Sequence, residues 1–392
     1  MSGAHAPAPA RRRVVVTGAD GFLGWHVRCR LRATTDDVVV PVGRASWDRL
    51  PELVADADVV LHLAGINRAE PDELAAGNER LAADVADAVR RAAGAGRPAP
   101  TVVFANSVQV GNGSPYADGK ARAAARLAEA ASATAGAFAD VLLPNLFGEH
   151  GRPAYNSFVA TFVDAVVRGE TPQVDDREIE LLHAQGAAEA LLRAAADPSV
   201  VPPLPTEATS VAGVLETLLG FHALYPETGD VPDISTTLAR DLFNTYRARL
   251  FPERGAISLT PRADQRGRLV ETVRAHGRGG QTFVSTTVPG VTRGEHYHLH
   301  KVERFVVLEG EAVIALRRMF TDEVVEIPVS GEHPVAVDMP TMWSHNITNV
   351  GSGTLTTLFW TDTLFDPDAP DTTPEPVATA ETSGATREET AR

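Results

Sequence analysis

The N-terminal part of the chain alternates short β-branched runs with longer alanine-rich stretches. Arg13-Val-Val-Val-Thr17, Val38-Val-Val-Pro-Val42, Asp58-Val-Val-Leu-His62, Thr101-Val-Val-Phe104 and Asp140-Val-Leu-Leu143 each read as a strand. The stretches between them carry helical patterning, beginning with Trp25 to Leu31. Strands separated by helices predict a parallel, doubly wound α/β sheet. Tyr246 to Glu253 reads as a helix end and linker, and from about Gly255 the pattern changes. Gln281 to Val288, Arg304 to Val307, Glu311 to Leu316, Glu323 to Val329 and Thr354 to Trp360 are short β-rich runs separated by turn residues. That spacing implies an antiparallel barrel or sandwich. The pattern divides the chain into a tail at 1–12, a nucleotide-binding part with substrate-binding helices at 13–253, an all-β part at 254–366, and an acidic tail at 367–392 without periodicity, expected to be disordered.

Length and composition narrow the classes. A chain of 392 residues, 44% hydrophobic and 22% charged, has room for two or three domains that each bury a core. A net charge of −15 argues against nucleic acid and anionic membranes as partners. No apolar run is long enough to span a bilayer, and Met1 to Ala10 lack the apolar centre of a secretion signal, so a cytoplasmic location is expected. Cys29 is the only cysteine, which excludes an intrachain disulfide and a thiolate metal cluster. Only two of the 36 basic residues are lysines, Lys120 and Lys301, and each falls inside a motif. Arginine replaces lysine cheaply on a surface, but not where a compact ammonium or a proton carrier is needed.

After the first strand comes Gly18-Ala-Asp-Gly21-Phe22-Leu23-Gly24, then a helix. Glycines there let the backbone approach a pyrophosphate, and the helix N-terminus supplies free N–H groups, as in a Rossmann fold. Where an acidic residue usually meets the ribose 2′-hydroxyl of NAD, this chain has Arg44 after the second strand. Arginine there suits a 2′-phosphate, so NADPH is the expected cofactor; the bland alternative is a solvated arginine in a turn. Ser107 follows the fourth strand, and Tyr116 and Lys120 are spaced to share one face of the next helix. An ammonium beside Tyr116 is expected to lower its phenol pKa and make it a usable acid or base. Ser107 could then hydrogen-bond a substrate carbonyl while Tyr116 protonates the alkoxide formed by hydride delivery. These residues resemble the extended short-chain dehydrogenase/reductase family, whose members mostly act on nucleotide sugars. The resemblance implies that Ser107, Tyr116 and Lys120 are catalytic. It also implies that Leu63-Ala64-Gly65 is a cofactor loop and that Asn145, in Pro144-Asn-Leu-Phe-Gly148, lies on the nicotinamide side. The segment between Ser and Tyr is shorter here than is usual in that family.

The all-β part carries His296-x-His298-x4-Glu303-x6-Gly310 and Pro340-x4-His345-x3-Asn349. Alternation places His296 and His298 on one strand face, and permits His300 there too. With Glu303 and His345 they form a three-His, one-Glu set that suits zinc, iron, manganese or nickel. Zinc is preferred because no redox chemistry is required. The spacing resembles both motifs of the cupin superfamily, a double-stranded β-helix barrel. Two positions depart from it: Met342 and Pro334 stand where glycine is usual. Lys301 could move a proton beside a carbonyl, or bind a substrate phosphate.

Taken together, the chain resembles the capsular-polysaccharide bifunctional reductase–epimerases of the CapF type. The likeness runs from the glycine motif to about Pro370 and includes Leu63-Ala-Gly-Ile-Asn67-Arg68, Tyr155-Asn156-Ser157, Asp176-Arg177 and Leu364-Phe-Asp-Pro-Asp368. It implies a UDP-linked 4-keto-6-deoxy-N-acetylhexosamine substrate, C3 inversion in the cupin half, C4 reduction in the reductase half, and a homodimer. Arg68, Asn145, Asn156 and Arg177 are the candidate substrate contacts. The alternative is a plain NADPH-dependent ketoreductase whose cupin is a dimerisation or sugar-docking module.

Overall fold

In the computed structural model, residues 11–378 are described, except 201, 202, 252, 266 and 278. Of the two expected tails, 1–10 and 379–392 lie outside the described residues. The chain forms two compact units. The first takes its described residues from Met1–Phe147, Ala154–Ser157 and Ile179–Ala208; the second takes them from Gly148–Pro153, Phe158–Glu178 and Thr209–Arg392.

The elements begin β1 (Arg13–Thr17), α1 (Phe22–Thr34), β2 (Val38–Val42), α2 (Leu50–Val54), β3 (Val59–His62), α3 (Pro71–Gly94), β4 (Thr101–Ser107), α4 (Pro115–Ala133), β5 (Phe138–Leu143) and β6 (Asn145–Phe147). There follow α5 (Phe158–Val167), β7 (Glu178–His183), α6 (Ala184–Ala196), β8 (Glu207–Ser210), α7 (Val211–Thr228) and α8 (Thr237–Leu250). The remainder is strand: β9 (Ala256–Ser258), β10 (Arg262–Asp264), β11 (Gly267–Leu269), β12 (Gln281–Thr287), β13 (Thr292–Tyr297), β14 (Glu303–Glu309), β15 (Glu311–Arg318), β16 (Val324–Ser330), β17 (Val335–Met339), β18 (Trp343–Asn349), β19 (Leu355–Thr361) and β20 (Thr373–Pro374).

The first unit is a Rossmann-like sheet of order β2-β1-β3-β4-β5, parallel throughout. Its central strands are apolar on both faces because helices cover both. Val14, Val16 and Leu61 pack with helices α1 and α6 on one side, while Val15, Val60 and Phe104 pack with α2, α3 and α4 on the other. Each fully buried valine or leucine contributes about 1.5–3 kcal/mol relative to exposure. From β1 the chain steps to β2 on one side, and β3 lies on the other. The order therefore reverses at the β1/β3 junction, where a crevice opens at the strands' carboxyl ends. Ser114 caps α4 by accepting from the Ala117 N–H, with Pro115 in its first turn, which fixes where that helix starts.

The second unit is all-β beyond its helices: two antiparallel five-stranded sheets, β12-β19-β14-β17-β9 and β16-β15-β18-β13-β20, sharing one core of Phe305, Ile314, Leu316, Met339, Trp343 and Phe359. Helices α5, α7 and α8 pack against one another. Residues 367–378 differ from the expected disordered tail. Strand β20 pairs with β13, setting Thr373 opposite Tyr297 and Pro374 opposite His296, and Val377 is buried. Polar contacts hold this segment, so no apolar periodicity announces it. Among the described residues no helix is long and apolar enough to cross a membrane.

Candidate functional site

The glycine turn and the Leu63-Ala64-Gly65 loop meet just beyond the ends of β1 and β3. Gly18, at the end of β1, has φ +66°, and a Cβ there would lie 2.8 Å from the Ala64 nitrogen. A Cβ on Gly24 would lie 2.1 Å from the Gly18 carbonyl oxygen. The turn and the Leu63-Ala64-Gly65 loop can therefore sit this close only without side chains at Gly18 and Gly24. Helix α1 starts after Gly21 with Phe22 and Leu23; no side chain caps it and no acidic residue lies in its first turn. Its N–H groups and dipole are thus available to a phosphate. Arg44, exposed after β2, opens a 3-10 turn over Arg44–Arg49.

Sequence reasoning missed the brace beneath this loop. Thr17 Oγ1 accepts from the Leu63 and Ala64 N–H groups, 3.2 Å each, and lies 2.8 Å from His62 Nδ1. The hydroxyl therefore donates to His62, whose Nε2 must carry the ring proton; Nε2 is buried with no partner among the described residues. Burial, then the Lys120 charge, depress the His62 pKa to about 3, so the ring is neutral. His62 is thus a packed, hydrogen-bonded histidine stacked on Phe104.

Ser107 closes β4, three residues later than the strand read from sequence, and Tyr116 and Lys120 lie one turn apart on α4. The expected effect of Lys120 on Tyr116 is not what the structure shows. Burial raises the Tyr116 pKa and a hydrogen bond with Ser107 only partly offsets it. The Lys120 ammonium instead donates to the Ala105 carbonyl at 2.6 Å and sits 4.1 Å over the Phe104 ring. Burial pulls its own pKa down to about 7, against the opposing charge of Asp140. Tyr116 thus holds its proton at neutral pH. Of the substrate candidates in this unit, Asn145 and Asn156 are exposed, and exposed Arg68 donates to the Ala154 carbonyl at 2.6 Å. Arg177 belongs to the second unit and is exposed.

In the second unit His296, His298, Glu303 and His345 converge, with all four donor atoms within 4.8 Å of one another. Glu303 Oε2 lies 2.9 Å from His298 Nε2, 3.2 Å from His345 Nε2 and 3.9 Å from His296 Nε2. Simple alternation does not produce this. A bulge at Glu295 (φ +61°) sets His296 opposite His345, and His298 lies just past the end of β13. Met342, where the motif usually has glycine, does adopt the left-handed backbone glycine favours, at φ +58°. That strain costs about 1–2 kcal/mol. Burial of the whole Met342 side chain offsets it. His300 stands outside the four, 4.0 Å from Asp241. Lys301 Nζ donates to the Pro370 carbonyl at 2.7 Å and the Thr372 hydroxyl at 3.1 Å.

The donor set fits a divalent cation. His298 Nδ1 is 2.5 Å from the Asp371 carbonyl and His345 Nδ1 is 3.0 Å from the Trp343 carbonyl. Carbonyls only accept, so both rings carry a proton on Nδ1, and their Nε2 atoms face a carboxylate, which also only accepts. Such an arrangement needs positive charge among the four groups. Burial lowers the His298 pKa, but Glu303 raises it more, and the net shift is upward. Glu303, despite burial, is held well below its ordinary value by His298 and by hydrogen bonds from the three imidazoles. Burial depresses His345 to about 4. Proton and metal would compete for the same place.

A reductase from Pseudomonas aeruginosa, UDP-2-acetamido-2,6-beta-L-arabino-hexul-4-ose reductase, is 32% identical over 369 residues, covering 92% of this chain and 97% of that one. The crystal structure of the capsular polysaccharide assembling protein CapF from Staphylococcus aureus is 29% identical with a TM-score of 0.56, covering 93% of this chain and 100% of that one. The chain belongs to the CapF-type family of capsular polysaccharide biosynthesis enzymes. Within it, residues 14–204 match the NAD dependent epimerase/dehydratase family and residues 262–373 the polysaccharide biosynthesis C-terminal domain. The second match ends inside β20, so it takes in residues 367–373 of the expected tail.

Proposed function

We propose that this enzyme epimerises C3 of a UDP-linked 4-keto-6-deoxy-N-acetylhexosamine in its second, cupin-type unit. It then reduces the C4 ketone in its first unit, giving a UDP-N-acetyl-6-deoxy-L-talosamine-type product for surface polysaccharide. The observation that carries the reading is the convergence of three imidazole Nε2 atoms on Glu303 in a chain that also holds Ser107, Tyr116 and Lys120 at a dinucleotide crevice. The Pseudomonas relative, a hexul-4-ose reductase, supports a 4-keto substrate. Chemistry sets the order: a proton at C3 is acidic only while C4 is a ketone.

When bound, NADPH supplies the hydride and a divalent metal, zinc by preference, supplies a Lewis acid. His296, His298, Glu303 and His345 would hold the metal. The protein's own part in reduction is to position and protonate. Ser107 hydrogen-bonds the C4 oxygen, Tyr116 gives that oxygen its proton, and Arg44 meets the 2′-phosphate. Lys301, the one lysine of the second unit, is the candidate proton carrier at C3. Arg68, Asn145, Asn156 and Arg177 are the proposed contacts to the substrate. On the family likeness we also propose a cytoplasmic homodimer. Replacing Tyr116 with Phe tests the reduction step: kcat for NADPH-dependent reduction should fall about 10²–10⁴-fold, with C3 exchange intact. Undiminished reduction would remove Tyr116 from the chemistry.

A further inference from the structure

We propose that residues 370–377 form a strap that positions both His298 and Lys301, with Asp371 as its anchor; this rests on the metal-centre reading above. Asp371 is a positioning residue and works from both ends of its structure. Its carboxylate gathers three successive amides: Oδ1 accepts from Leu299 N at 2.8 Å, and Oδ2 accepts from His300 N at 2.9 Å and Lys301 N at 2.8 Å. Its own carbonyl accepts the His298 Nδ1 proton at 2.5 Å. The first set of bonds fixes the turn after His298. The second keeps a proton on Nδ1 and fixes the orientation of the ring, so that Nε2 faces Glu303.

Lys301 is caught by the same strap. Its Nζ donates to the Pro370 carbonyl and the Thr372 hydroxyl, on either side of Asp371. Beyond it, β20 lies along β13, and the Glu375 N–H donates to the Glu295 carbonyl at 2.8 Å. Glu295 Oε2 accepts from Val377 N, and the Arg317 guanidinium donates to the Val377 carbonyl. The strap is thus sewn to the bulge that places His296 and to the turn that follows His298. Its fastenings are directional polar bonds at ligand-bearing backbone, with Val377 its one deeply buried apolar side chain. Directional bonds set ligand geometry, which apolar packing alone does not.

The test uses full-length enzyme carrying Asp371→Ala, with Asp371→Asn as the milder variant that keeps one acceptor oxygen should the alanine variant fail to fold. Zinc affinity is read by competition with a chromophoric chelator. The His298 ring tautomer is read by ¹⁵N NMR of zinc-free protein. C3 hydrogen–deuterium exchange on the 4-keto sugar is followed without NADPH, and NADPH consumption on ketone already inverted at C3 is measured separately. Zinc affinity about 10–100-fold weaker, a mixed His298 tautomer and correspondingly slower exchange, with NADPH consumption unchanged and Asn intermediate, is the expected result. Affinity, tautomer and exchange all within twofold of the unaltered enzyme would overturn the strap's role alone. Unaltered enzyme that neither binds zinc nor exchanges C3 would overturn the metal-centre reading with it.

Discussion

Lys120 carries its charge where water does not reach, and the cost should be measurable. Its pKa is lowered by burial from 10.5 to about 7. For a base with a depressed folded pKa, the unfolded chain binds more protons between the two values, so stability rises with pH across that window. Below about pH 7 the penalty is fully present; above 10.5 it vanishes. Urea unfolding of cofactor-free enzyme at pH 7, 8 and 9 should show stability rising by at most about 1.4 kcal/mol per pH unit from this group, and Lys120→Met should lose that slope. Parallel profiles would show that Lys120 is not desolvated as described. At this scale residue type was informative: a chain nearly free of lysine keeps two, and both are held by buried or half-buried partners. The direction of the Tyr116 shift was not legible, because it depends on where the Lys120 ammonium points, and that is set by Ala105 and Phe104.

Among the elements, β1 to β5 were legible because parallel strands covered on both faces must be apolar throughout, and β-branched runs stand out. Strands β13 and β18 were legible only through the spacing of their histidines, not as β-rich runs. They carry Glu295 and His296, and Ser344, His345, Asn346 and Asn349, polar residues whose burial or partial burial is satisfied across strands: Asn346 donates to Glu295 Oε1, and Asn349 to the Thr287 carbonyl. That His296, His298, Glu303 and His345 come together was readable from type and spacing, but the bulge that aims His296 was not, because it is a register shift between β13 and β18. The strap was hidden for a similar reason: Asp371 meets residues about 70 positions away, beyond any local periodicity. In the first unit the junction of β1 and α1 makes a sharper prediction. A Cβ at position 24 would press on the Gly18 carbonyl at 2.1 Å, so Gly24→Ala must displace the turn that faces the phosphates. NADPH affinity measured by fluorescence titration should fall more than about 10-fold, the cost of roughly 1.4 kcal/mol. Unchanged affinity would mean the cofactor does not rest on this turn.

At the scale of the whole molecule, the proposed function puts two chemistries on one chain with a net charge of −15. An anionic cofactor and an anionic sugar nucleotide must therefore be met by local donors, the uncapped first turn of α1 for the cofactor and arginines for the sugar nucleotide, rather than by overall attraction. Neither unit alone explains the other's residues. A ketoreductase needs no three-His, one-Glu centre, and an epimerase of this kind needs no nicotinamide crevice. A common 4-keto intermediate accounts for both, because the ketone that makes C3 acidic is the group later reduced. The direct test is an NMR time course in D₂O with the UDP-linked 4-keto-6-deoxy-N-acetylhexosamine and no NADPH. Deuterium should appear at C3 with the unaltered enzyme and vanish in His298→Ala, while that variant still reduces ketone already inverted at C3. No exchange, with NADPH consumption intact, would contradict the account and leave a ketoreductase joined to a structural β-unit.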